Sequence, residues 1–340
     1  MPWERLAGVI AEEPAQGSVS TGGARSLTLA IGGQPSGRPN GKFKVQVKGA
    51  VLETAPTVAG RSDRMVADIS GRLKPRKALG QHFLVDGRVL SRIVAAAELA
   101  PDDVVLEVGP GSGTLTRRLV QHVARVVAVE MDPHLTASLS ERLGHPPNLI
   151  AIQADARTVD LVPLVGEGTP YKVVANLPYY AANPIVRRFL ESPPKPSLMV
   201  VMVQQEVAQS MVAGPGDMSI LSVAVQYYAA PRLICTVPPS AFRPPPKVRS
   251  AVVRLEPRSR PAVEVNDEAA FFALVRAGFA APRKQLRNSL SQGLSVPSAE
   301  VGQLLRSAGL DGRRRPETLS VEEWAQIHQA WEGPRNVGSV

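Results

Sequence analysis

At 340 residues, 44% apolar and 20% charged, the chain can bury the core of one large domain plus a smaller one. One cysteine, Cys235, and five histidines without ligand spacing exclude a disulfide framework and a cysteine zinc site; no apolar core of signal-peptide length and no run near the ~18 apolar residues of a membrane span is present, so a soluble, metal-free cytoplasmic protein is expected. The net charge of +9 is uneven: residues 1–74 carry ten Lys/Arg against six Asp/Glu, 75–229 thirteen against fourteen, and 230–340 sixteen against ten, a neutral centre between basic flanks that suits a catalytic core with polyanion contacts.

Residues 1–72 mix Gly, Ser, Thr, Pro and Lys without a sustained period, the composition of a segment that cannot offset its ordering entropy. They read as a disordered extension, or as sequence ahead of a true start at Met65, with a weakly alternating stretch at Lys42–Leu52. From Lys74 the pattern changes. Arg88–Leu99 has helical spacing, Val104–Val108 reads as a buried strand, Leu115–Val123 as a helix, Val126–Val129 as a strand and Leu135–Leu143 as a helix. Leu149–Ile152, Lys172–Ala175 and Leu198–Val203 continue the strands, with a short helix at Ile185–Leu190. Strands separated by helices predict a parallel sheet covered on both faces. Leu233–Val237 and Ala251–Leu255 close one edge around a proline-rich link, Pro238–Pro246. After Arg260 only helices are expected: Asp267–Ala280, Ser298–Ala308 and Val321–Trp331, the last with Ser320 and Glu323 at capping-box spacing. The expected domains are 73–258 and a small helical domain, 259–335.

The run Val105-Leu106-Glu107-Val108-Gly109-Pro110-Gly111-Ser112-Gly113 is a strand entering a glycine turn, where backbone N–H groups meet a ligand. A purely structural turn fits the same residues. A dinucleotide fingerprint would place its third glycine at position 114, which is Thr114. Glu130 ends the second strand 21 residues after Gly109, where an acid can take both hydroxyls of a ribose. Asp155 ends the third strand, where a carboxylate can accept from an adenine amino group; the alternative for both turns is a helix cap, by Asp132 or by Asp155 itself. Glu107, buried in the first strand, requires a donor, either in the glycine loop or at a cofactor's amino-acid end.

Asn176-Leu177-Pro178-Tyr179 falls at the carboxyl end of the fourth strand, beside the glycine turn. An exocyclic base amine is a poor nucleophile because its lone pair is delocalised into the ring. Two acceptors on its N–H groups, the Asn176 side-chain oxygen and the Leu177 carbonyl, favour a tetrahedral nitrogen. Pro178 fixes the backbone that presents that carbonyl. Tyr179 offers a face for an extruded base, worth ~1–3 kcal/mol. A strand-ending turn with a buried tyrosine is the alternative. A sulfonium methyl donor is already activated, so positioning and electrostatics suffice for transfer.

From about Lys77 to Arg287 these motifs resemble the ribosomal RNA small-subunit adenine dimethyltransferases. Gly80-Gln81-His82-Phe83-Leu84 is similar to that family's opening motif, Gln204-Gln205-Glu206-Val207 to its stretch after the fifth strand, and Val237–Val248 to its proline-rich signature. The resemblance implies a class I, Rossmann-like S-adenosylmethionine-dependent methyltransferase sheet with a small C-terminal helical domain. It places His82, Leu84, Gly109, Glu130, Asp155 and Asn176 at the cofactor and Asn176, Leu177, Pro178 and Tyr179 at the reacting amine. The implied products are two adjacent N6,N6-dimethyladenosines near the 3′ end of small-subunit RNA in a pre-30S particle, made by a monomer with no membrane partner. Lys247 and Arg249, beside the proline loop, and Arg283 and Arg287, after a helix, are candidate RNA contacts; Arg313-Arg314-Arg315 reads as a solvated charge run. Competing expectations are a large-subunit adenine methylase, a non-catalytic RNA-binding assembly factor and, more distantly, a nicotinamide oxidoreductase.

Overall fold

The computed structural model describes residues 81–332 and, separately, a short strand pair near the N-terminus. That pair, β1 (Gln46–Val47) and β2 (Ala50–Val51), is antiparallel, with Gln46 opposite Val51. The rest of the expected extension, 1–72, lies outside the described residues.

The main unit opens with β3 (Phe83–Leu84) and α1 (Gly87–Ala96), whose cap Asp86 accepts from the N–H groups of Arg88 and Val89 at 2.8 and 3.2 Å. Then β4 (Val104–Val108), α2 (Thr114–Leu119), β5 (Arg125–Glu130), α3 (Pro133–Arg142), β6 (Leu149–Gln153), α4 (Val162–Val165), β7 (Lys172–Asn176), α5 (Ala182–Glu191) and β8 (Leu198–Gln204) alternate. Two helices the sequence reading did not assign follow, α6 (Gln205–Val212) and α7 (Ile220–Tyr228). β9 (Ala229–Val237), β10 (Phe242–Arg243) and β11 (Ser250–Pro257) complete the strands. α8 (Glu268–Gly278), α9 (Leu286–Leu294), α10 (Ser298–Ser307) and α11 (Val321–Glu332) end the described chain.

Seven strands form one sheet in the order β6-β5-β4-β7-β8-β11-β9. The first five are parallel; β11 runs antiparallel to both β8 and β9. The order reverses between β4 and β7, the point at which an open α/β sheet leaves a crevice at its carboxyl edge. The apolar runs of the central strands are continuous because both faces are covered. Val104, Leu106 and Val108 of β4 join one core, shared with α5, α6 and α7, while Val105 joins a second under α1 and α2. The first core extends without a break into the C-terminal helices through Phe271, Leu274, Trp324 and Ile327. No described helix is long and apolar enough to cross a membrane.

Candidate active site

Beyond the carboxyl ends of β4 and β7 lies a cleft with about 810 Å³ of empty space, solvent included. Eight of the residues singled out in the sequence line it: His82, Leu84, Gly109, Glu130, Asn176, Leu177, Pro178 and Tyr179; Glu107 lines it too. The glycine turn is built from left-handed backbone, with φ of +67° at Gly109, +54° at Gly111 and +81° at Gly113, a conformation that a Cβ disfavours. A Cβ on Gly111 would meet the Phe83 ring at 3.1 Å, so the turn and β3 touch closely. A Cβ on Gly109 would come within 3.8 Å of the Asn176 carbonyl, which brings the two motifs side by side.

Glu130 ends β5 and accepts from the N–H groups of Gly111 at 3.2 Å and Asp132 at 3.0 Å. The cap of α3 is Asp132, which accepts from His134 at 2.9 Å, so Glu130 is free of that duty. Burial raises its pKa, and the Asp132 and Gly111 amides oppose the rise. Glu107 is 1% exposed and its Oε2 has no hydrogen-bond partner among the described residues. Burial pushes this carboxyl up to about 8, with Thr116 opposing and the charge of Glu130 adding. Arg142, on α3, donates to the Gly111 carbonyl at 3.0 Å and braces the turn. Sequence reasoning missed this arginine, because only the packing of α3 beside the turn reveals it.

On the other side, Asn176 Nδ2 donates to the His82 carbonyl at 3.4 Å. That bond orients the amide, and its oxygen carries no hydrogen bond within the described residues. The Leu177 N–H donates to the Met202 carbonyl at 3.0 Å, anchoring the tetrapeptide to β8. The Tyr179 hydroxyl is 2.6 Å from Ser250 Oγ on β11. Burial raises the phenol's pKa, with Ser250 opposing.

Asp155 stands apart from the cleft lining. Its carboxylate accepts from the Arg157 N–H at 2.9 Å and pairs with the Arg157 guanidinium at 2.6 Å, which lowers its pKa. Lys247, Arg249, Arg283 and Arg287 are exposed and also outside the lining. Arg249 sits one residue from Ser250, and its guanidinium is 3.4 Å from Thr236 Oγ1. Arg313, Arg314 and Arg315 pair with Asp311, Glu323 and Glu317 respectively. Among the described residues no group of three or more His, Cys, Asp or Glu side chains could hold a metal ion.

Residues 72–332 match the ribosomal RNA adenine dimethylase family. The chain belongs to that family. Curated relatives are similar over most of the chain. A ribosomal RNA small subunit methyltransferase A of Dehalococcoides mccartyi is 47% identical over 255 residues, 75% of this chain and 88% of that protein. One from Alkaliphilus metalliredigens is 46% identical over 257 residues, 74% of this chain and 90% of that protein. Among solved structures, the 23S rRNA methyltransferase ErmE is 31% identical with a TM-score of 0.58, covering 73% of this chain and 98% of its own. A dimethyladenosine transferase from Plasmodium falciparum is 25% identical with a TM-score of 0.62, covering 72% and 96%. This dimethylase is therefore a Rossmann-like methyltransferase of ribosomal RNA that uses S-adenosylmethionine as methyl donor.

Proposed function

We propose that the chain transfers methyl groups from S-adenosylmethionine to N6 of two adjacent adenosines near the 3′ end of small-subunit ribosomal RNA. It acts on a pre-30S particle, as a monomer in the cytoplasm, in small-subunit biogenesis. The observation that carries the reading is the meeting, in one cleft, of the Glu130-braced glycine turn with an Asn176 amide whose oxygen is left open. The small-subunit choice over the large-subunit alternative follows the curated relatives, which are more similar to this chain than ErmE is.

The residues present fit the methyl donor. Glu107 lines the cleft with an oxygen that lacks a partner among the described residues, so a donor group or cation of the ligand satisfies a buried acceptor. Glu130 supplies acceptors for ribose hydroxyls, and the segment of His82 and Leu84 covers the amino-acid end. Asp155 can take the adenine amino group by sharing its carboxylate with Arg157, an exposed pair worth under about 1 kcal/mol. When bound, the donor supplies a methyl group already activated on a sulfonium.

The chain's own residues do the rest. In the first transfer the Asn176 oxygen and the Leu177 carbonyl accept the two N–H groups of the target amine and turn its lone pair out of conjugation. In the second they share the single N–H that remains, and each transfer releases S-adenosylhomocysteine and one proton to water. Pro178 holds that carbonyl in place, and Tyr179 stacks on the base. Lys247, Arg249, Arg283 and Arg287 meet RNA phosphates, with the helices of 259–335 serving as the RNA-binding part.

Asn176→Ala is the test that separates this enzyme from a non-catalytic assembly factor. Single-turnover transfer at saturating donor should fall by about two to three orders of magnitude, while binding to unmethylated small subunits stays within a few-fold. Unchanged transfer would remove Asn176 from the reacting centre.

A further inference from the structure

Of the Phe, Tyr and Trp side chains among the described residues, only Tyr180 is exposed, at 56%. Its side chain makes no hydrogen bond and no ring contact among those residues. A single surface ring is ordinary in a folded protein. This one directly follows Tyr179, whose ring lines the cleft and whose hydroxyl is 2.6 Å from Ser250 Oγ. Tyr180 is itself outside the lining. Both tyrosines sit in one tight turn. The Ala181 N–H donates to the Pro178 carbonyl at 3.0 Å, and the Ala181 carbonyl accepts from the Ile185 N–H at 3.0 Å, which ties the turn to α5. The Leu177 bond to β8 holds the other end. The backbone that carries Tyr180 is therefore pinned on both sides, and its ring is left in water at the rim of the cleft.

We propose that Tyr180 is a stacking platform for the nucleotide next to the reacting one: while one adenine of the adjacent pair lies against Tyr179, its neighbour lies on the Tyr180 ring. This rests on the functional reading above and names a second base subsite for the same substrate. Extruding a base breaks its stack on the adjacent base. The base left behind needs a new face, and an exposed aromatic ring supplies one. Consecutive nucleotides are covalently linked, as the two tyrosines are, so a base held against Tyr179 keeps its neighbour at the rim where Tyr180 stands. The ring gives up no protein contact when a base covers it, and its pinned turn lowers the ordering cost of stacking. A cation is also near. Arg157 pairs with Asp155, and that carboxylate first, then the Tyr180 phenol, raise the guanidinium's pKa, so it lies within electrostatic reach of the ring. Such a neighbour suits the phosphate backbone of a polyanion.

The test uses the full chain, with Tyr180→Ala removing the ring and Tyr180→Phe keeping the face on which the base stacks. Substrates are unmethylated small subunits, either wild type or with uridine in place of one or the other adjacent adenosine, because a pyrimidine offers a smaller face. Calorimetric affinity for S-adenosylhomocysteine should change less than threefold in both variants. Single-turnover transfer at saturating donor and subsaturating wild-type subunits should fall about tenfold in Tyr180→Ala, the loss of one stacked base. Tyr180→Phe should restore it to within threefold. With one of the two uridine subunits, the wild-type chain should lose at least threefold in transfer to the remaining adenosine, and Tyr180→Ala less than twofold, because ring and base act on each other. A merely structural tyrosine would not show that coupling. Unchanged transfer in Tyr180→Ala, or losses that simply multiply with both uridine subunits, would overturn the proposal. So would a tenfold loss of S-adenosylhomocysteine affinity in Tyr180→Ala, which would assign the ring to the donor. A wild-type chain that binds S-adenosylhomocysteine and transfers nothing would contradict the functional reading itself, an outcome distinguishable from the others, which are all read against an active wild type.

Discussion

Glu107 and Glu130 stand on neighbouring strands at the mouth of one cleft, and burial favours the protonated form of both. For Glu107 the shift is large enough to make stability depend on pH. Its folded pKa of about 8 lies above the ordinary value of 4.5. Between those two values the folded state keeps a proton that the unfolded chain has lost. Stability therefore declines as pH rises through that window and levels off above it. Chemical denaturation of donor-free protein should show that decline, on the order of a few kcal/mol, and Glu107→Gln should flatten it; parallel profiles would contradict the assignment. Glu130 acts on the ligand instead. Glu130→Ala removes a carboxylate that accepts from Gly111 and Asp132 and is poised for ribose. A charged hydrogen bond is worth about 1.5–3 kcal/mol, so S-adenosylhomocysteine should bind tenfold or more weakly by calorimetry. Unaltered affinity would remove Glu130 from the donor site.

At the scale of elements, the glycine turn works because it is short, left-handed and pressed between β3 and α3. Gly113 precedes α2 at φ +81°, and a Cβ there would meet Leu139 Cδ1 at 2.9 Å. Gly113→Ala should therefore lower stability by about 1–2 kcal/mol from backbone conformation alone, read as a lower melting temperature, and unchanged melting would contradict the packing described. The turn was legible in the sequence because glycine spacing and a buried strand are local signals, as were β4, β5, β7 and β8, whose apolar runs mark strands covered on both faces. α7 escaped notice because its residues are apolar nearly all round, with Ser222, Val223, Ala224, Val225, Tyr227 and Tyr228 all buried, so no amphipathic period shows. α9, Leu-Arg-Asn-Ser-Leu-Ser-Gln-Gly-Leu, is too polar and glycine-bearing to stand out. β3 is two residues long and exists by pairing with β10, which no local pattern encodes. Asp155 shows the limit at the site: its position at a strand end was readable, but the Arg157 side chain folding back onto it was not.

Across the whole molecule, charge and core divide the work. One continuous core ties the C-terminal helices to the sheet. The basic excess of 230–340 is not uniform in effect. Arg313, Arg314 and Arg315 spend their charge on acids within the chain, whereas Arg283, Lys284 and Arg287 are exposed with no ion pair among the described residues. Replacing those three with alanine should reduce the slope of log affinity for small-subunit RNA against log salt by about 2. Replacing Arg313 and Arg315 should change it by less than about 1, and equal effects of the two sets would contradict this division. The most direct test of the whole account is methyl transfer from labelled S-adenosylmethionine to unmethylated small and large ribosomal subunits, with nucleoside analysis of each RNA. The account predicts N6,N6-dimethyladenosine at two neighbouring positions of small-subunit RNA. Label confined to large-subunit RNA, or small subunits bound without any transfer, would contradict it.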